Sequence, residues 1–265
     1  MAYAKINSVT NANMAKIANV AKSGFGKVAG VDAPDDASFS DNKCIDGMDS
    51  LSTYLSSTSN LPSIFTGGSQ QSWSIVWRFY HNATGNKGIF HWTFSGSSIY
   101  IYLQNFGETL FWMFWGGQSG TAHMPMYTTG DDVGDRNVTM TITKDGDTLE
   151  DMKLYVNGGS AHVTGQTPTA TIPLITSAMT AFKLGLREGV FNFGGNKFND
   201  FALFDAAFTN AEATEAYNSG TTMDLRTHSR AGDLQHYWLM GDGDDGAGSD
   251  DDGSTIYDMV GDCDL

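Results

Sequence analysis

The sequence predicts an all-β protein: a sandwich of two antiparallel sheets with one short helix, preceded by a repeated N-terminal arm. Three observations lead there. Apolar and polar residues alternate with period two along much of the chain, and turn signals such as Asp145-Gly146 and Asn157-Gly158 punctuate the alternation. Glycine is abundant, at 31 residues against 5 prolines, and aromatics reach 12%, so the composition is that of a globular chain rich in turns and β-formers. A length of 265 residues suffices for one large β domain with attachments or for two small domains.

The arm comes first. Residues 4 to 36 fall into three rows of eleven, AKINSVTNANM, AKIANVAKSGF and GKVAGVDAPDD. Lys5, Lys16 and Lys27 share one column, Ile6, Ile17 and Val28 the next, and Val9, Val20 and Val31 a third. Gly24, Gly26 and Gly30 favour short strands joined by tight turns, although an eleven-residue period also suits a right-handed helical supercoil. So few large apolar groups cannot hold such a segment alone, so the nine column residues are candidates for anchoring it to neighbours or to its own copies. Residues 1 to 31 carry +4 and the remainder −19 in a chain of −15, which suits an arm that docks on an acidic partner; lysines that merely keep an apolar repeat soluble are the plainer reading.

The stretch DAPDD reads as a linker, giving a division into an arm at 1–36, a sandwich at 37–225 and an acidic segment at 226–265 that completes the sandwich. In WSIVWRF, Trp73, Ile75, Trp77 and Phe79 share one face and Ser74, Val76 and Arg78 the other. SIYIYLQ sets Ile99, Ile101 and Leu103 against Tyr100, Tyr102 and Gln104, and NVTMTITK sets Val138, Met140 and Ile142 against three threonines. Strands of this kind, each with one wet face, make an antiparallel sandwich. In FTNAEATEAYNSG, Thr209 caps a helix with Glu212 as its capping-box partner, Ala216 and Tyr217 face inward and Gly220 stops it.

The acidic balance argues against nucleic acid as a partner. The longest apolar run, LFWMFW, is too short to span a membrane, and no secretory leader is visible, so synthesis in a reducing cytoplasm is expected. Cys44 and Cys263 are too few for a disulfide framework.

Catalysis finds little support. Of five glutamates, Glu108, Glu150, Glu188, Glu212 and Glu215, none has the spacing of a retaining glycosidase pair on one strand, and Glu212 is already committed to the helix cap. The six histidines occur singly, without zinc spacing, and no Gly-x-Ser-x-Gly nucleophile motif is present. Oxygen ligands for a structural calcium are available from Asp242, Asp244, Asp250 and Asp252, or from a rival set of Asp131, Asp132 and Asp135; solvated acidic loops explain both equally simply, so no cofactor is required. Trp112 and Trp115 fall on opposite faces of their strand and, with Tyr100 and Tyr102, are candidates for stacking on sugar rings, against the commoner fate of core packing.

The segments STYL at Ser52, WSIVWRF at Trp73, KLYVNG at Lys153, FKLGLR at Phe182 and FNDFALFDAAFTNAEATEAYNSG at Phe198 resemble, in order and near spacing, laminin G-like domains of the concanavalin A-like lectin and glucanase superfamily. The resemblance covers roughly residues 38 to 225 and implies a jelly roll. The arm resembles N-terminal segments of marine bacteriophage structural proteins. Together these imply a non-enzymatic virion protein of head-fibre, decoration or tail-fibre type, displayed on the virion surface after synthesis in the host cytoplasm. Its partners would be other virion proteins, its own copies in a homo-oligomer and a host-surface glycan. A free carbohydrate-binding lectin and a degenerate glycan-active enzyme are the rivals.

The same resemblance makes the C-terminus unusual. A Tyr-Trp-x-Met-Gly-Asp strand followed by a Tyr-Asp turn usually opens a laminin G-like domain and here comes last. Residues 234 to 240 and 256 to 264 are therefore expected to pair into the sandwich as a permuted first strand, with Trp238 in the core and Cys263 near a strand at Phe39 to Asp46 that carries Cys44.

Overall fold

The computed structural model describes residues 27–28, 31–32, 54–59, 61–63, 72–81, 87–95, 97–105, 109–117, 120–129, 136–146, 148, 151–163, 178–187, 191–194, 196–240 and 255–265. The chain forms two compact units, Met1–Ser40 and Asp41–Leu265. In the first, β1 (Lys27–Val28) pairs antiparallel with β2 (Val31–Asp32), Val28 opposite Val31. The repeat columns at Lys5, Ile6, Val9, Lys16, Ile17 and Val20 lie outside the described residues.

The second unit is an all-β jelly-roll sandwich. Its strands in chain order are β3 (Leu55–Ser57), β4 (Trp73–His81), β5 (Lys87–Phe94), β6 (Ser97–Asn105), β7 (Thr109–Gly117), β8 (Gly120–Thr129), β9 (Arg136–Lys144) and β10 (Met152–Val156). After these come β11 (His162–Val163), β12 (Met179–Leu184), β13 (Leu186–Arg187), β14 (Phe191–Asn192), β15 (Lys197–Phe204) and β16 (Leu234–Leu239). One six-stranded sheet runs β11-β10-β9-β4-β15-β16 and the other β3-β12-β5-β6-β7-β8. Aromatic rings join them: Trp77 of the first sheet meets Phe90 of the second edge-on at 6.3 Å, and Phe182 of the second meets Trp238 of the first at 5.1 Å. Phe90 also stacks on its strand neighbour but one, Trp92, at 4.1 Å, so one aromatic seam fills the middle of the core.

The expected wet face is absent from the centre of the first sheet. Ser74, Val76, Arg78, Thr139, Thr141 and Thr143, the polar or outward half of the alternation, are all buried. A helix covers part of this face. α1 (Asn210–Tyr217) starts at Thr209 with both bonds of the predicted capping box, and Ala213 and Ala216 are its buried residues, with Tyr217 only half-buried. Asn218, in the left-handed conformation at φ 47°, ends α1 two residues before Gly220. Two of the hydroxyls on this face are hydrogen-bonded to its cover: the Phe208 amide donates to Ser74 Oγ at 2.9 Å and Thr143 Oγ1 at 3.0 Å. Satisfied in this way, a hydroxyl tolerates burial, and alternation cannot distinguish it from a wet one.

The C-terminal segment lies in the sandwich. β16 pairs antiparallel with β15, Trp238 opposite Phe201, and Trp238 is fully buried. Ile256 and Leu265 exchange both backbone hydrogen bonds at 2.9 Å, and Trp238 bridges Asp258. Cys263 is buried as a free thiol, and Cys44 with its expected strand lies outside the described residues.

Candidate ligand-binding face

One register line crosses all six strands of the second sheet. Ser56 pairs with Lys183, Lys183 with His91, His91 with Tyr100, Tyr100 with Phe114, and Phe114 with His123. A second line runs from Gly88 through Tyr102 and Trp112 to Pro125. The line next to the first carries Phe182, Trp92 and Ile99, all fully buried, and then Trp115 and Ala122. Since directly opposed residues of neighbouring strands share a face and successive residues alternate, Tyr100, Tyr102 and Trp112 fall in register with one another, and Trp115 falls on the buried line. Three of the four sugar-stacking candidates therefore share one side of the sheet by register.

Around these positions the described residues are mixed: His91 and Gly88, which pair directly with Tyr100 and Tyr102, are buried, and the open polar side chains lie further along the sheet. Ser56 and Thr180 are exposed, Thr93 and Lys183 half-buried, and the Lys183 ammonium sits 5.2 Å over the ring of the exposed Tyr54. None of the six strands contains an Asp or Glu, although the chain has 30 of them. Tyr100, Tyr102 and Trp112 thus occupy register positions of one sheet whose strands carry no carboxylate, the residue types from which sugar-stacking faces are built.

Elsewhere the polar groups are occupied in holding the fold. The Arg78 guanidinium pairs with Asp200 at 2.6 Å and donates to the Ala216 and Met223 carbonyls at 3.0 and 3.2 Å, and the Tyr237 hydroxyl is a second donor to the same Asp200 oxygen, at 3.3 Å. Two of these bonds satisfy carbonyls at and beyond the C-terminal end of α1, where positive charge is favourable. Asp258 is a second hub. It takes the His236 ring nitrogen at 2.5 Å and the amides of Tyr237, Val260, Gly261 and Cys263 at 3.0 to 3.3 Å. Burial raises its carboxyl, but the His236 bond and charge and the amide donors outweigh that and leave it below the ordinary carboxylate value. Neither hub was visible in the sequence, because Arg78 and Asp200 are 122 residues apart and His236 and Asp258 are 22 apart, with no motif joining them.

The described glutamates are likewise engaged. Glu212 accepts from the Thr209 amide and from Arg230 Nε, each at 2.6 Å, and Glu215 accepts from the Ser229 amide at 2.8 Å. Glu108, Glu150 and Glu188 lie outside the described residues, as do the calcium candidates Asp131, Asp132, Asp135, Asp242, Asp244, Asp250 and Asp252. Among the described residues no group of three or more metal-ligating side chains gathers, and no helix is long and apolar enough to cross a membrane.

No protein-family model matches the chain, and no curated protein sequence does. Solved structures do. The chain is similar to the botulinum neurotoxin serotype G binding domain, with 13% identity, a TM-score of 0.46 and 64% of this chain covered. It is similar to the receptor binding domain of botulinum neurotoxin D at 12% identity and a TM-score of 0.45, covering 65% of this chain. A SAP-like pentraxin from Limulus polyphemus matches at 11% identity and a TM-score of 0.36, over 63% of this chain and 83% of its own. The chain spans about two fifths of the neurotoxin domains it matches, 41% and 43% of their lengths.

Proposed function

We propose that this chain is a non-enzymatic structural protein that displays a glycan-binding β-sandwich and is anchored to a bacteriophage virion surface by its N-terminal arm. The observation that carries the glycan reading is the register that lines Tyr100, Tyr102 and Trp112 up on one side of a carboxylate-free sheet. The non-enzymatic reading is supported by Glu212 and Glu215, the nearest the sequence comes to a carboxylate pair, being tied to Thr209, Arg230 and Ser229. The anchoring reading rests on the eleven-residue rows with Lys5, Lys16 and Lys27 in one column and on their positive charge in an acidic chain. Other virion proteins and further copies of this chain are the partners such an arm fits.

The test separates display from anchoring. The full chain and a chain lacking residues 1 to 34 are each assayed for retention on immobilised glycans, for oligomeric state and for incorporation into particles. Retention of glycan by both, with oligomer and incorporation lost only in the shortened chain, is the expected result. A shortened chain that assembles and incorporates like the full one contradicts the anchor and leaves a free lectin.

A further inference from the structure

A cleft of about 410 Å³ opens on the other sheet, beside the start of α1. Its floor is the pair Lys153 and Tyr155 of β10, which face the same way and lie opposite Thr143 and Thr141 of β9. Asp145, Asp151, Thr209 and Asn210 add polar lining and Phe208 an apolar one. None of these residues belongs to the face described above.

Two groups in the cleft point to a ligand. Tyr155 is only 3% exposed, yet it lines the cleft and its hydroxyl makes no hydrogen bond with the described residues. The ring is packed away while the hydroxyl opens to the cleft, free to donate to whatever enters, and burial together with the Glu212 charge raises its pKa, so it stays a donor at neutral pH. Lys153 is exposed, lines the same cleft and forms no ion pair among the described residues. The carboxylates are built in. Asp145 Oδ1 takes the Ser72 hydroxyl at 2.6 Å, and Asp151 Oδ2 takes the amide and hydroxyl of Thr148, each at 2.7 Å. Gly146 makes room for this, since a Cβ there would lie 2.4 Å from the Asp151 carboxyl.

The chemistry of the lining selects the ligand. An anion small enough to enter would be drawn to Lys153 but repelled by two carboxylates, and a cation would meet the reverse. A neutral polyol suits both, because each hydroxyl donates to a carboxylate and accepts from an ammonium or phenol, and charge-assisted bonds of this kind are the strong ones. Phe208 offers the apolar contact that a ring of C–H groups takes. We infer that the cleft between β10 and the start of α1 is a second, separate binding site for a neutral sugar unit, with Tyr155 and Lys153 as its ligand-contacting residues.

The probes are methyl glucoside, methyl galactoside, methyl mannoside and N-acetylglucosamine, titrated by ligand-observed NMR against the full chain in a Trp112→Ala background that removes the sheet-face site. At least one should bind saturably at roughly millimolar affinity, and adding Tyr155→Phe or Lys153→Gln should weaken it about fivefold without changing the melting temperature. If Trp112→Ala itself melts early, Tyr102→Ala supplies the background. Absence of saturable binding by all four sugars, or binding indifferent to both cleft substitutions, overturns the inference. Comparison of the unsubstituted chain with the background variant reads the sheet face independently.

Discussion

Single residues carry three of the consequences. Trp238 is fully buried, rests on Phe182 and Phe201 and donates its indole N–H to the Cys263 carbonyl at 2.7 Å, so Trp238→Ala removes both packing and a hydrogen bond. A loss of about 3–5 kcal/mol is expected by chemical denaturation. Asp258 makes stability depend on acid. Its folded-state value lies below the ordinary 3.8, so its contribution is complete above that value and drains away as pH falls through the lowered one. Stability should therefore be flat in this term from neutral pH to about 5 and fall below about 4, and Asp258→Asn should flatten that limb while costing roughly 3 kcal/mol at pH 7. Burial, opposed by a Ser57 hydrogen bond and reinforced by the Asp258, Asp264 and Asp262 charges, pushes the Cys263 thiol up to about 12. Iodoacetamide should label Cys263 only in denaturant, which mass spectrometry reads directly.

Elements show what a sequence can and cannot announce. The capping box of α1 was legible because both of its bonds lie within four residues, Thr209 to Glu212, and Thr209→Ala should cost about 1 kcal/mol in thermal denaturation. The turn at Asn157-Gly158 was legible for the same local reason: φ of 49° and 64° at the two residues is what those types tolerate. β4, β6, β9 and β10 follow the alternating segments that predicted them. What alternation could not reveal was the burial of Ser74, Thr139, Thr141 and Thr143, since the cover comes from a segment more than sixty residues further along the chain. Nor could it assemble the cleft, where β10 meets the residues that open α1 only in the folded state. β16 was expected to pair because its Tyr-Trp-x-Met-Gly-Asp run resembles the strand that opens laminin G-like domains, and its burial gives a sharp test. Truncation after Arg230 removes β16 and the Asp258 hub together, and the shortened chain should lose cooperative unfolding by calorimetry.

In the whole molecule a basic repeated arm precedes an acidic remainder. Ionic anchoring implies that replacing Lys5, Lys16 and Lys27 by Gln weakens attachment to the particle, and that added salt weakens the unsubstituted chain in the same way. Attachment indifferent to both would leave only the apolar columns as its cause. Sugar binding by the second sheet can be read on a glycan array probed with the full chain and two tryptophan variants. Trp112 lies in register with Tyr102, whereas Trp115 lies opposite the buried Ile99. The unsubstituted chain should retain a defined set of glycans; Trp112→Ala should lose about tenfold in affinity at an unchanged melting temperature, and Trp115→Ala should lower the melting temperature instead. Failure of the unsubstituted chain to retain any glycan, or retention by Trp112→Ala at full affinity, would contradict the account.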